Sequence, residues 1–184
     1  MMNRNEAIEE LQIRLKSPNL LKHSYAVEAI MIALAEELGK DKELWGLAGL
    51  LHDIDYEKTA QTPELHSKVG ADILDTLGID ESVVYAVRAH NAMHGIPRNR
   101  KIDKALYAAD PVSGLITACA LILPSKKLSD VSAEFVLKKM DEKSFAKGAN
   151  REQIRSCEEL ELNLEDFIKI SLAAMKSISD VLGL

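Results

Sequence analysis

The chain has 184 residues, of which 47% are hydrophobic, 28% charged and only 4% aromatic, so one domain can bury a core without covalent staples. Its net charge of −6 and pI near 5.4 argue against a general nucleic-acid or acidic-membrane binder. Two distant cysteines, Cys119 and Cys157, lack any CxxC partner; they exclude a disulfide framework or cysteine–zinc knuckle and read as buried thiols in a reducing cytoplasm. No uncharged apolar run reaches membrane-spanning length, and Met1 to Glu10 is acidic and polar rather than a signal peptide, so a cytoplasmic protein is expected.

Taken in order, the periodicity predicts helices and no strand. Ile8, Leu11 and Leu15 place a short amphipathic helix over 5–15, broken at Ser17-Pro18-Asn19, with Asn19 as the expected cap of the next. The second helix, about 20–38, carries Ala26, Val27, Ile30 and Leu34 on one stripe, with His23 one turn earlier on the same stripe. Asp41 caps a third, whose apolar run Leu44, Leu47, Leu50, Leu51 ends abruptly in His52-Asp53. Pro63 reads as the first residue of a fourth helix to Leu77, with His66, and Asp80 caps a fifth to His90. After a loop holding His94 and several basic residues, 102–123 reads as one long apolar helix containing Asp110, with Pro111 expected to kink it or limit its first turns. Beyond Pro124, Ser129 or Asp130 is expected to cap a helix to Met140, Asn150 another, and 162–182 to form a final long helix. The fold class is all-α.

The histidines concentrate the chemistry. All five lie between residues 23 and 94, and His23, His52, His66 and His90 fall on, or at the ends of, four successive predicted helices, on their apolar sides. One such histidine is an ordinary core residue. Four of them, with Asp53 and with Asp110 inside a further helix, would repeatedly cost stability unless they shared a purpose. Imidazole and carboxylate together suit iron, manganese, zinc, cobalt or nickel.

The series His23, His52-Asp53, Asp110 resembles the signature of the HD-domain superfamily of metal-dependent phosphohydrolases, over roughly residues 18–123. His66-Ser67-Lys68-Val69-Gly70-Ala71 is similar to the His-x-x-x-Gly-Ala segment of the branches that bind two metals. Arg88-Ala89-His90-Asn91 resembles their second extra histidine, and Leu106-Tyr107-Ala108-Ala109-Asp110 their approach to the last aspartate. The resemblance implies an HD-type helical bundle over 1–184, with a metal core and additional C-terminal helices over about 125–184. It implies His23, His52, Asp53 and Asp110 around one divalent ion, and His66 and His90 on a second bridged by Asp53. His52 and Asp53 would then be catalytic, since paired cations lower the pKa of water and polarise a phosphoryl group.

The chain departs from parts of the family pattern. Lys58 does not fit the spacing of the catalytic lysine that some members place after the pair, so none is assigned. Asp55 and His94 are nearby groups able to act as acid or base, and neither is given that role. Gly95-Ile96-Pro97 replaces the Gly-Tyr-Pro element of cyclic-dinucleotide phosphodiesterases. Arg88, His94, Lys101 and Lys147 are the candidate substrate contacts, with Lys143, Lys147 and Arg151 forming a second basic group. The implied activity is hydrolysis of a phosphate ester of a small molecule or nucleotide. Two alternatives share these ligands: a di-iron oxygenase on the same fold, and a non-catalytic module sensing a nucleotide or metal. Oligomeric state is left open.

Overall fold

The computed structural model describes residues 2–184, and among these no strand occurs. The helices are α1 (Arg4–Arg14), α2 (Pro18–Glu37), α3 (Lys42–Leu51), α4 (Tyr56–Thr59), α5 (Lys68–Thr76), α6 (Glu81–His90), α7 (Lys101–Leu121), α8 (Ala133–Asp141), α9 (Arg151–Arg155), α10 (Leu164–Ser177) and α11 (Ser179–Leu182). None is long and apolar enough to cross a membrane. The all-α expectation is borne out.

Local chemistry sets most helix starts. Asn3 and Glu6 form a reciprocal capping box at α1, while the side chains of Asp41, Asp80 and Asn150 cap α3, α6 and α9 as the sequence suggests. Other boundaries differ from expectation. Ser17, rather than Asn19, is the N-cap of α2, because Pro18 with its fixed φ occupies the first helical position. Ser132, not Ser129 or Asp130, caps α8, accepting from the Phe135 amide, while 128–130 form a separate 3-10 turn. Helix α7 runs unbroken through Pro111. The long C-terminal helix breaks at Ile178: the Ser177 hydroxyl donates to the Ala174 carbonyl and the Ile178 amide turns to Met175, ending the regular ladder.

Pro63 does not start a helix; 62–67 form turns and α5 begins at Lys68. The reason is a long-range cap. The Asp55 carboxylate accepts from the amides of Ser67 (2.9 Å) and Gly70 (3.0 Å), so a side chain just beyond α3 decides where α5 begins. An anion at a helix N-terminus is favourable both as acceptor and against the helix dipole.

The most extensive pairing is α2 on α3, and glycine makes it close. A Cβ at Gly49 would stand 2.7 Å from the Val27 carbonyl oxygen and 2.8 Å from the Cα of Glu28. Leu50, Leu51, Ile30 and Leu34 fill the seam with no exposed surface. Helix α7 lies across it, its buried Ala105, Ala108 and Ala109 admitting neighbours closely, while α10 packs on α2 and α9 on α7. One continuous apolar cluster therefore runs from Ala7 to Leu182, and the C-terminal third completes it. The bidentate Arg4–Glu28 ion pair, with Glu28 buried, pins α1 against α2.

Gly49→Ala is expected to destabilise the fold by about 1–3 kcal/mol, because backbone must move to admit the methyl; an unchanged urea midpoint would show that α2 and α3 separate freely. Cys119 and Cys157 are both free and fully buried, and burial pushes each thiol up to about 11. Neither should react with iodoacetamide at pH 8 until denaturant unfolds the chain, and labelling of the folded protein would contradict that burial.

Candidate metal centre

The close crossing at Gly49 carries His23 of α2 beside His52 at the C-terminal end of α3, with their Nε2 atoms 3.2 Å apart. Asp53 follows on the turn. Its Oδ2 lies 3.5 Å from His23 Nε2 and 3.4 Å from His52 Nε2, while its Oδ1 lies 3.3 Å from His66 Nε2 and 3.6 Å from His90 Nε2. One carboxylate thus faces four imidazoles, two on each oxygen. Asp110 of α7 closes the His23 side, with Oδ1 3.1 Å from His23 Nε2 and 3.8 Å from His52 Nε2. All six expected donors converge.

Each imidazole is held by its other nitrogen. His52 Nδ1 meets the Gly49 carbonyl at 2.8 Å, and His90 Nδ1 meets that of Val87 at 2.6 Å. A carbonyl only accepts, so Nδ1 carries a proton and Nε2 is the nitrogen left to face inward as a ligand atom. His66 Nδ1 donates to Asp55 Oδ1 at 3.0 Å. His23 Nδ1 lies 3.1 Å from the Ser113 hydroxyl, which itself donates to the Asp110 carbonyl and so must accept from the ring. Four inward Nε2 atoms and two carboxylates form a donor set that fits divalent cations, which would displace any proton held between them; oriented outer partners of this kind accompany metal-bound histidines.

The electrostatics agree. Burial alone would depress the His52 pKa, yet Asp53 and Asp110 outweigh it and hold the ring well above the usual imidazole value. Burial opposes ionisation of Asp53 and Asp110, but His52 and His90 around the first, and His23 and His52 around the second, hold both well below the ordinary carboxylate range. A field that pulls an extra proton onto a buried imidazole also attracts a metal ion. Two donor triples, His23–His52–Asp110 and His52–Asp53–His90, have all their atoms within 4.8 Å of one another. His66 stands outside those triples and joins through Asp53 Oδ1.

Two orienting residues escape sequence reading. Asp55 has both oxygens engaged, by His66 and by the α5 amides, and no exposed side-chain surface, so it positions His66 and the start of α5. The Asp55 oxygen would stand 3.0 Å from a Cβ at Gly70, so the glycine four residues after His66 makes room for that carboxylate. Ser67, between them, sits at φ +69°, held by its amide on Asp55 and its hydroxyl on the Arg88 carbonyl. Ser113, one turn after Asp110, is the other.

The four candidate substrate contacts lie elsewhere in the bonding pattern. Arg88 pairs with Asp72 of α5, and Lys101 pairs with Glu161. His94 donates from Nε2 to the His66 carbonyl at 2.7 Å, a loop hydrogen bond that braces the metal-site turn. Lys147 opens with Lys143 onto a neighbouring surface cavity. Arg151 lines the same cavity, but its guanidinium also turns back to the chain: it lies within hydrogen-bond distance of the main-chain carbonyls of Lys139, Met140, Glu142, Phe145, Ala146 and Ala149, sharing its five N–H donors among them, and so shapes the loop between α8 and α9. Ala146, Gly148 and Ala149 of that loop line a cavity of about 280 Å³ with His23 and Asp110.

Residues 20–121 match the HD domain family. Among curated proteins the chain is similar to Ribonuclease Y of Desulfotalea psychrophila, 35% identical over 96 residues that cover 52% of this chain and 18% of that protein. It is also similar to Ribonuclease Y of Desulforudis audaxviator, 32% identical over 141 residues, 73% of this chain and 26% of that protein. The chain therefore spans only a minor part of the length of these relatives. Among solved structures, the HD domain of the L. monocytogenes phosphodiesterase PgpH superposes with a TM-score of 0.56 at 14% identity, covering 94% of this chain and 98% of that one. The same domain in complex with cyclic-di-AMP gives 0.54, also at 14% identity, covering 94% and 96%. These neighbours share the helical fold. The family match takes in more than half of the sequence and every one of the six converging donors, and on that ground the chain belongs to the HD-domain family.

Proposed function

We propose that this protein is a metal-dependent phosphohydrolase that cleaves a phosphate ester of a small molecule or nucleotide at the six-donor cluster. The observation that carries the reading is the division of Asp53: one oxygen toward His23 and His52, the other toward His66 and His90. A carboxylate can serve two cations at once and a neutral imidazole cannot, so His23, His52 and Asp110 would hold one ion and His66 and His90 a second, with Asp53 available to both. Bound divalent ions (iron, manganese, zinc, cobalt or nickel) supply a lowered pKa for water and neutralise charge growing on the phosphoryl oxygens. The similar curated proteins are named ribonucleases and the fold neighbour a phosphodiesterase, names that denote cleavage of phosphate esters, which supports the same chemistry here.

The chain's own groups do the positioning. Asp53 stays deprotonated within its four imidazoles and fixes the two halves of the cluster relative to one another. His52 is fully buried, whereas the side chains of His23 and Asp110 are 25% and 30% exposed, so substrate approaches from the His23–Asp110 side. The walls there are α7 and the loop that Arg151 shapes.

The test is elemental analysis of purified, desalted protein, followed by hydrolysis of 4-nitrophenyl phosphate and bis(4-nitrophenyl) phosphate with and without EDTA. Close to two metal equivalents and EDTA-sensitive hydrolysis are expected, and fully loaded protein that cleaves neither ester would reject the reading. Iron with oxygen-dependent turnover in place of hydrolysis would substitute the oxygenase. His66→Ala and His90→Ala should each lose one equivalent with the fold intact; retention of both ions would remove the bridging role of Asp53. Asp55→Asn should weaken the second ion by roughly 10–100-fold, as loss of an outer partner does, and should lower stability by about 1–3 kcal/mol through the disrupted cap. Lower stability with unchanged metal affinity would reduce Asp55 to a cap.

A further inference from the structure

Most of the nine glycines have a local reason to lack a side chain. Gly39, Gly78, Gly95 and Gly183 adopt positive φ, and at Gly46, Gly49 and Gly70 a Cβ would come within 3.0 Å of a neighbouring atom. Gly114 and Gly148 have neither reason: φ is not positive, and nothing lies within 4 Å of the place a Cβ would take. Gly114 is also the least economical position for glycine, inside the 21-residue helix α7, where alanine would be more stable. Both residues are exposed, and both line the cavity of about 280 Å³ whose floor is His23 and Asp110.

Gly114 lines a second cavity as well, of about 400 Å³, which also has His23 in its wall. Ala26, Thr117, Leu121, Leu182 and Leu184 make that second space largely apolar, with Lys22 and Asn19 as polar groups at its side. The two cavities therefore meet at His23 and Gly114, directly beside the exposed edge of the metal cluster. A space of this size suits an organic group rather than a bare anion, small-molecule sites being roughly 300–1,000 Å³.

We propose that Gly114, which lines the smaller cavity together with Gly148, is the specificity-determining position of this site: its missing side chain joins the two cavities, so that a phosphate ester reacts at His23 and Asp110 while its organic group lies over Gly114 in the apolar cavity. The substrate class is an organic phosphate with a sizeable, partly apolar group next to the reacting phosphate, in preference to small inorganic phosphates. This rests on the hydrolase reading for the fate of the phosphate, and the labelling experiment below does not require turnover.

Gly114→Cys places an accessible thiol in a chain whose natural thiols are both buried. In the metal-loaded variant at pH 7, saturating 5′-AMP should slow labelling by N-ethylmaleimide tenfold or more, while saturating orthophosphate changes it less than twofold. Equal effects of the two, or none from either, would overturn the proposal. Gly114→Leu should keep the wild-type metal content and raise KM for bis(4-nitrophenyl) phosphate at least tenfold, with Gly114→Ala as a folded control; an unchanged KM in the leucine variant would likewise overturn it. Absence of hydrolysis in the wild type as well would strike the hydrolase reading, and the labelling result alone would then decide the role of Gly114.

Discussion

The structure depends on keeping one aspartate ionised in its interior. Asp53 is buried, and an isolated carboxylate there would be far too costly to leave charged. Its environment solves the problem by surrounding both oxygens with imidazoles drawn from α2, the end of α3, the turn before α5 and the end of α6. Few other requirements would bring four separate segments to one point, and the close helix crossing at Gly49 is the packing that permits it.

The four histidines are oriented by two different devices, and their position on the helices explains which. His52 and His90 stand at the C-terminal ends of α3 and α6, where the last carbonyls have no partner within the helix. Each ring takes the carbonyl three residues back, so the chain needs no second side chain to aim it. His23 lies inside α2 and His66 lies in a turn, where no free carbonyl is offered in the right place. Those two depend on Ser113 and Asp55, polar groups from distant elements.

That distinction also marks what could be read from the sequence. The six donors were legible because their order and spacing follow helix periodicity and an HD-type series, and most caps because they act within three residues. The role of Asp55 was not legible, since its partners at 66, 67 and 70 are joined to it only once the turn is folded; the same contact moved the start of α5 from Pro63 to Lys68. The ion pairs of Arg88 and Lys101, both read as candidate substrate contacts, were not legible because Asp72 and Glu161 are 16 and 60 residues away. Arg151 read only as part of a basic group because nothing in a sequence shows that main-chain carbonyls will converge on one guanidinium.

The carbonyls around Arg151 have a consequence for how this family member can change. The contacts from Arg151 to this loop run through main-chain oxygens and make no demand on the exposed side chains of Lys143, Ser144 and Lys147. The exposed Lys143, Ser144 and Lys147 can therefore be exchanged while Phe145, Ala146 and Ala149, packed on the core, and Gly148 keep the contour of the wall beside His23 and Asp110. The chain holds its reactive centre and the wall beside it fixed and leaves the exposed positions of the loop free to change, so that charge near the site can be varied without rebuilding the scaffold.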